Sequence, residues 1–231
     1  MTPTLSNSLS AVITNATLLE HPFHFIHIPK FFPPELYSLI LQHMPPADTY
    51  QPLSARRFKA KTPDGNRMTF LLQPENIARL SGQTLAVWHS VYAAIDTEEF
   101  KTALLSKLAP AIAKRFGLAD VEQVLARPSI LSARLCWDKE SYYLAPHRDK
   151  ATKITTLQIY LPADDQQKDI GTSFFVKRDD FVEVQRFPFL PNSGYAFAIQ
   201  REGDTPSWHG CNKLHALKED RHTLLFEFVG A

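Results

Sequence analysis

The chain has 231 residues, a formal net charge of +1, and 44% hydrophobic and 11% aromatic residues, the balance of a globular protein rather than a disordered one. Near-zero charge argues against a general binder of nucleic acid or membrane surfaces, and no apolar run is long enough to span a bilayer. A chain of this length buries roughly 70% of its unfolded surface and folds without staples, so Cys136 and Cys211 read as reduced, buried thiols of a soluble cytoplasmic protein lacking a signal peptide.

Residues 1–20 are rich in Ser, Thr and Asn and carry little pattern. "FHFIHIPKFFP" then predicts a short strand with Phe23, Phe25 and His27 on one face. That spacing scatters His21, His24 and His27 over both faces, so they read as ordinary half-buried histidines. In "PPELYSLILQHMP" the prolines suit a first helical turn, Leu36, Leu39, Ile40 and Met44 form an apolar stripe, and Pro45-Pro46 stops the helix. Residues 47–73 read as a loop carrying the basic residues Arg56, Arg57, Lys59, Lys61 and Arg67 around the turn Asp64-Gly65. That cluster is either a solvated surface or a lid that recruits an anionic substrate or acidic peptide. Helical patterning resumes from Pro74 to about Ala94, and a second helix is expected from Asp96, boxed by Glu99, to near Gly117.

From Ile130 onward the pattern changes to short runs rich in Leu, Ile, Phe, Tyr and Thr: "LSARLCW", "KITTLQIYLP", "TSFFV", "FVEVQRFPFL", "GYAFAIQ" and "RHTLLFEFV". Closely spaced strands separated by Gly, Pro, Asp and Asn predict an antiparallel β sandwich or barrel. The expected organisation is one α+β domain over residues 1–231: a weakly patterned start (1–20), a mainly helical support (21–129) and a β-barrel core (130–231).

Chemistry-bearing residues cluster in the second half. His147 and Asp149 stand two apart just before a strand, a spacing common enough to be a turn pair and no more. Further on, "SWHG" supplies His209, and Arg221 begins the last strand. Alternation there puts Arg221 and Thr223 on one face and His222, Leu224, Phe226 and Phe228 on the other. An arginine aimed into a barrel needs a carboxylate, either a bound ligand's or that of Asp220, Glu219 or Glu227. Two imidazoles and one carboxylate on adjacent strands can take one face of an octahedral iron(II) and leave three positions open.

The order HxD, a gap of about sixty residues, His, then Arg near the C-terminus resembles the 2-oxoglutarate and Fe(II)-dependent oxygenases, especially their prolyl 4-hydroxylase-like branch. The resemblance covers residues 131–229 and extends weakly to "HPFHFIHIPKFFPPELYSLI"; "GTSFF" (Gly171 to Phe175) resembles the Gly-rich strand start of that family, and "SWHG" the setting of its last histidine. It implies a double-stranded β-helix (a jelly-roll, cupin-like barrel) with N-terminal helices on one side. It also implies Fe(II) held by His147, Asp149 and His209, and 2-oxoglutarate held by Arg221 with help from Thr223 and Tyr160. O2 would be the co-substrate, and hydroxylation of an unactivated C–H bond would release succinate and CO2. An intact Asp149 argues against a halogenase. The substrate, whether small molecule, sugar or peptidyl, is not legible, and Tyr142 and Tyr143 either line its pocket or simply pack. Two other readings stay open: a cupin-like metalloenzyme that does not need Arg221, and a non-catalytic module that binds metal or 2-oxoglutarate.

Overall fold

A computed structural model describes residues 4–53, 66–201 and 205–230. Seven α-helices occupy the first half of the chain: α1 (Leu5–Asn15), α2 (Pro34–Gln42), α3 (Pro74–Ile77), α4 (Gly82–Ile95), α5 (Glu98–Lys107), α6 (Ala109–Phe116) and α7 (Val121–Ala126). The strands are β1 (Leu18–Leu19), β2 (Phe25–Ile28), β3 (Gln51–Pro52), β4 (Arg67–Leu71), β5 (Ser129–Asp138) and β6 (Leu144–His147). They continue with β7 (Lys153–Tyr160), β8 (Thr172–Lys177), β9 (Phe181–Phe187), β10 (Gly194–Ala198), β11 (Trp208–Cys211) and β12 (Arg221–Gly230).

The helical stretch expected from Pro74 to about Ala94 is split into α3 and α4, and α7 lies where no helix was expected; three further departures have a clear local cause. The weakly patterned start contains α1, capped by Thr4, whose Oγ1 accepts the Asn7 N–H at 3.2 Å. Leu9 and Ile13, four apart, bury themselves beneath its polar surface. The helix expected over 96–117 is two: Asp96 ends α4, Thr97 caps α5 by accepting the Phe100 N–H, and the chain breaks at Leu108 just before Pro110. The third is β4, inside the expected loop, where Phe70 is buried while Arg67 points the other way. Of the basic cluster, Arg56, Arg57, Lys59 and Lys61 lie outside the described residues.

Every strand pairing is antiparallel. One sheet runs β1-β2-β10-β7-β12-β5-β4-β3, and a second runs β6-β11-β8-β9. The period of two sorts the large sheet's residues by face. Ile26, Ile28, Leu135, Leu157, Ile159, Leu224, Phe226 and Phe228 form one apolar core with Leu9, Ile13, Trp88, Phe100 and Leu104 of the helices. The opposite face carries Arg67, Arg134, Cys136, Gln158, Arg221 and Glu227, which line a cleft together with His147, His209, Gly210 and Cys211 of the small sheet. Both cysteines are free and buried. Phe23, Phe25, Phe174, Phe187, Tyr195 and Phe197, drawn from both sheets and the chain leading into β2, make an aromatic cluster. Gly171 opens β8 where a Cβ would stand 1.6 Å from the Phe187 carbonyl oxygen, so only glycine fits. Among the described residues no helix is long and apolar enough to cross a membrane.

Candidate metal centre

Pairing of β6 with β11 sets His147 directly opposite His209, and their ring centroids lie 4.3 Å apart. Asp149 follows two residues after His147 and reaches across to the large sheet, where its Oδ2 accepts the Thr156 hydroxyl at 3.0 Å. Its backbone carbonyl accepts Arg201 Nη1 at 2.8 Å, and Arg148 donates to the Arg201 carbonyl, so the turn is held from two sides. One ligand atom from each of His147, Asp149 and His209 lies within 4.8 Å of the others, the one such group of His, Cys, Asp or Glu among the described residues. His21, His24 and His27 form no cluster; His222 stacks on Trp137 and His215 is exposed.

The hydrogen bonds around the rings select the tautomer. His147 Nδ1 faces the Ala145 carbonyl and His209 Nδ1 the Ser207 carbonyl, each at 3.0 Å. A carbonyl oxygen can only accept, so each Nδ1 carries the hydrogen and each Nε2 keeps its lone pair. These lone pairs face Asp149: His209 Nε2 is 3.7 Å from Oδ2 and His147 Nε2 is 4.0 Å from Oδ1. Two neutral nitrogen donors and one carboxylate suit a borderline divalent ion such as iron(II).

Electrostatics keeps this set deprotonated. Burial, helped by His209 and opposed by Asp149, lowers the His147 imidazole to about 3. Burial likewise lowers His209, against the pull of Asp149. Burial alone would raise the Asp149 carboxyl, but Lys153 and the two imidazoles hold it far below the ordinary carboxylate range. Lys153 Nζ sits 2.6 Å from Asp149 Oδ1 and also contacts Glu227, so the carboxylate is paired before any metal arrives.

An acid lability follows from these shifts. The unfolded chain binds protons on both imidazoles near the ordinary histidine value of 6.5, whereas the folded chain refuses them. Stability present above pH 6.5 is therefore lost as pH falls from there toward the folded values. Asp149 adds a loss in the same direction only below the ordinary value of 3.8. The melting temperature of protein stripped of metal is expected to fall steadily between about pH 6.5 and pH 4, and His147→Asn is expected to flatten that slope.

At the other end of the cleft, Arg221 is wholly buried and meets a protein carboxylate that sequence reasoning did not name. Its partner is Asp138, at 2.6 Å from Nη1. Register explains the correction: Arg221 pairs with Asp138 across β12 and β5, and Asp138 pairs in turn with Arg67 of β4. Glu227 lies six residues from Arg221 on the same strand, about 20 Å away, and Asp220 accepts the Trp137 indole N–H instead. Arg67 clamps Asp138 through Nε and Nη2 and lies over the Tyr142 ring.

Arg221 spends three of its N–H groups on Asp138, the Ile170 carbonyl and Thr172 Oγ1. Two of its five donors are left without a partner among the described residues. Thr223 is the next residue on that face and its buried Oγ1 has no partner. Tyr160, opposite Thr223, accepts the Thr172 N–H at 2.8 Å, and burial raises its phenol. Arg221 lines the cleft itself; Tyr160 and Thr223 stand behind its surface. Asp138, Arg134 and Glu227 could be read from the sequence only as polar positions on the alternate face of strands whose other face is apolar, with no sign of what each would meet.

Fold and site together define a two-sheet protein with a His-Asp-His centre at one end of a cleft and a buried arginine at the other. No family model matches the chain, and no curated protein matches it by sequence. Solved structures do. A prolyl-4-hydroxylase from Pseudomonas putida superposes with a TM-score of 0.56 at 13% identity, covering 96% of this chain and 99% of that one. JOX2, solved with 2OG, Fe and JA, gives 0.57 at 14% identity over 90% of this chain and 68% of that one. A rice dioxygenase for auxin oxidation gives 0.50 at 16% identity, covering 97% and 78%. The protein thus has the mixed helix and antiparallel-sheet fold found in 2-oxoglutarate and iron(II) oxygenase structures.

Proposed function

We propose that this protein is a 2-oxoglutarate and Fe(II)-dependent dioxygenase that hydroxylates an unactivated C–H bond. The observation that carries the reading is the convergence, in one cleft, of three deprotonated ligand atoms within 4.8 Å and of Arg221 with two unengaged donors. His147 and His209 through Nε2, with Asp149, would hold the iron. Arg221 would take the far carboxylate of 2-oxoglutarate, with the orphan Thr223 hydroxyl and the neutral Tyr160 phenol as the donors beside it. When bound, iron, 2-oxoglutarate and O2 supply the oxidative decarboxylation that yields succinate and CO2 and the oxygen atom for hydroxylation. The chain's own work is to keep the donor set unprotonated, anchor the co-substrate and exclude water.

The strand order supports closure of the two sheets into a jelly roll. β12 inserts between β5 and β7, and β11 between β6 and β8, as the return strands of paired Greek keys do. The helices and sheets are read as one domain, and a cytoplasmic setting fits the free thiols. The substrate is a small molecule, sugar or peptide; the charge balance below narrows this.

The test is anaerobic. Adding Fe(II) and 2-oxoglutarate to protein stripped of metal is expected to produce a visible metal-to-ligand charge-transfer band. Arg221→Ala is expected to weaken 2-oxoglutarate binding by roughly tenfold to a hundredfold, the worth of a lost charge-assisted pair. A folded wild-type protein that gives no band would overturn the reading. A band insensitive to Arg221 would instead favour a cupin-like use of the metal.

A further inference from the structure

We propose that Arg134 anchors the substrate, and that the substrate is a small, largely apolar acid bearing one carboxylate. This rests on the oxygenase reading above and adds the substrate class.

The argument begins with the charges that face the cleft. Among the described residues these are the cations Arg67, Arg134, Lys153 and Arg221 and the carboxylates Asp138, Asp149 and Glu227. With the hydrogen on Nδ1 and Nε2 kept for the iron, both imidazoles count as neutral. Four positive groups against three negative ones leave one positive charge. Iron(II) and doubly charged 2-oxoglutarate cancel each other, so that charge is still present when both are bound. A buried surplus charge is costly, and one further anion removes it.

The pairings say which side chain carries the surplus. Arg67 and Arg221 share Asp138 at the far end. Lys153 lies between Asp149 and Glu227. Arg134 has only a share of Glu227, through Nη2, plus a marginal 3.5 Å approach to Ser132 Oγ. Its Nε is buried and has no partner. The guanidinium therefore keeps N–H donors unspent, which a carboxylate can take.

Position and surroundings define the rest of the ligand. β5 and β12 pair Arg134 with Leu225, and both line the cleft with His147 and His209. The half-buried lining residues mark where a ligand enters; they are Arg134, Leu53, Leu144, His147 and Leu225, with the carboxylate-paired Arg67 and Lys153 beside them. Arg67 and Lys153 are held by Asp138, Asp149 and Glu227, so three leucines beside the one under-paired guanidinium favour an apolar body with a charged end. A doubly charged acid would overshoot neutrality, and an uncharged sugar would leave Arg134 unpaired.

The experiment compares acids with their isosteric amides. Octanoate and 3-phenylpropanoate, against octanamide and 3-phenylpropanamide, are titrated calorimetrically into wild type, Arg134→Gln and Arg134→Lys, with and without Fe(II) and 2-oxoglutarate under anaerobic conditions. Each acid is expected to bind wild type at least about tenfold tighter than its amide, as a hydrogen bond to a charged group requires. Arg134→Gln should abolish that preference, and Arg134→Lys, which keeps the charge without the fork, should retain part of it. Glu227 keeps Lys153 in both variants, so neither strands a buried carboxylate. Equal binding of acid and amide, no binding of either acid, or a preference that survives Arg134→Gln overturns the proposal. The charge-transfer band separates the two claims. An Arg134-dependent acid preference without any band keeps the anion site and discards the iron reading. A band without the preference does the reverse.

Discussion

His209→Ala is expected to lower Fe(II) affinity by at least about a hundredfold and to remove both the charge-transfer band and turnover, since loss of even an outer partner of a metal ligand costs 10- to 100-fold. Three ligand atoms within 4.8 Å make a site; two of them, with the third nitrogen gone, do not. The variant should still fold. Asp149 keeps Lys153 at 2.6 Å and the Thr156 hydroxyl at 3.0 Å, so deleting the imidazole leaves no unpaired buried charge. What it removes is packing on Phe197, whose ring lies 4.8 Å from that of His209. Calorimetric Fe(II) titration beside a thermal melt distinguishes the outcomes: lost metal binding with a retained transition supports the centre, and unchanged metal binding refutes it.

Asp138→Asn should produce the largest loss of stability. Asp138 is wholly buried; Arg67 donates to both of its oxygens and Arg221 donates to Oδ2 as well. Asparagine keeps the shape and removes the charge, leaving two guanidinium groups facing each other with no counter-charge. Breaking a buried pair in this way costs about 3–5 kcal/mol. For a chain of this size that corresponds to a fall in melting temperature of roughly 6–20 °C. A second readout ties the effect to function. The far carboxylate of 2-oxoglutarate offers the missing negative charge, so the thermal shift it produces is expected to be larger in the variant than in wild type. An equal or smaller shift would mean that the co-substrate does not approach Arg221.

The two predictions differ in how visible their residues were. His147, Asp149, His209 and Arg221 were legible through their order along the chain, which resembles that of a known family; the His147–Asp149 spacing by itself says no more than a turn pair. Asp138 lies one alternation step from Cys136 in "LSARLCWD", but nothing local says what it meets. Its partners are 71 and 83 residues away, and register between distant strands is set by pairing, not by neighbouring residues. Lys153 was equally hidden. At the head of β7 it reads as a surface lysine until the fold brings Asp149 and Glu227 to it.

Local patterning was therefore enough for the helical first half and the antiparallel second half, because hydrophobic period and turn chemistry act within a few residues; the candidate ligand set came from the family resemblance instead. It failed where polarity masked period, as in α1, or where a short strand sat beside a basic loop, as in β4. The charge arrangement of the cleft came from assembly alone. Arg67, Arg134, Lys153 and Arg221 are single cations on separate strands, and only the antiparallel pairing of β4, β5, β7 and β12 gathers them around one cleft with a surplus of one. Electrostatic energy depends on distance in space and on burial, and neither is written in the spacing of residues along the chain.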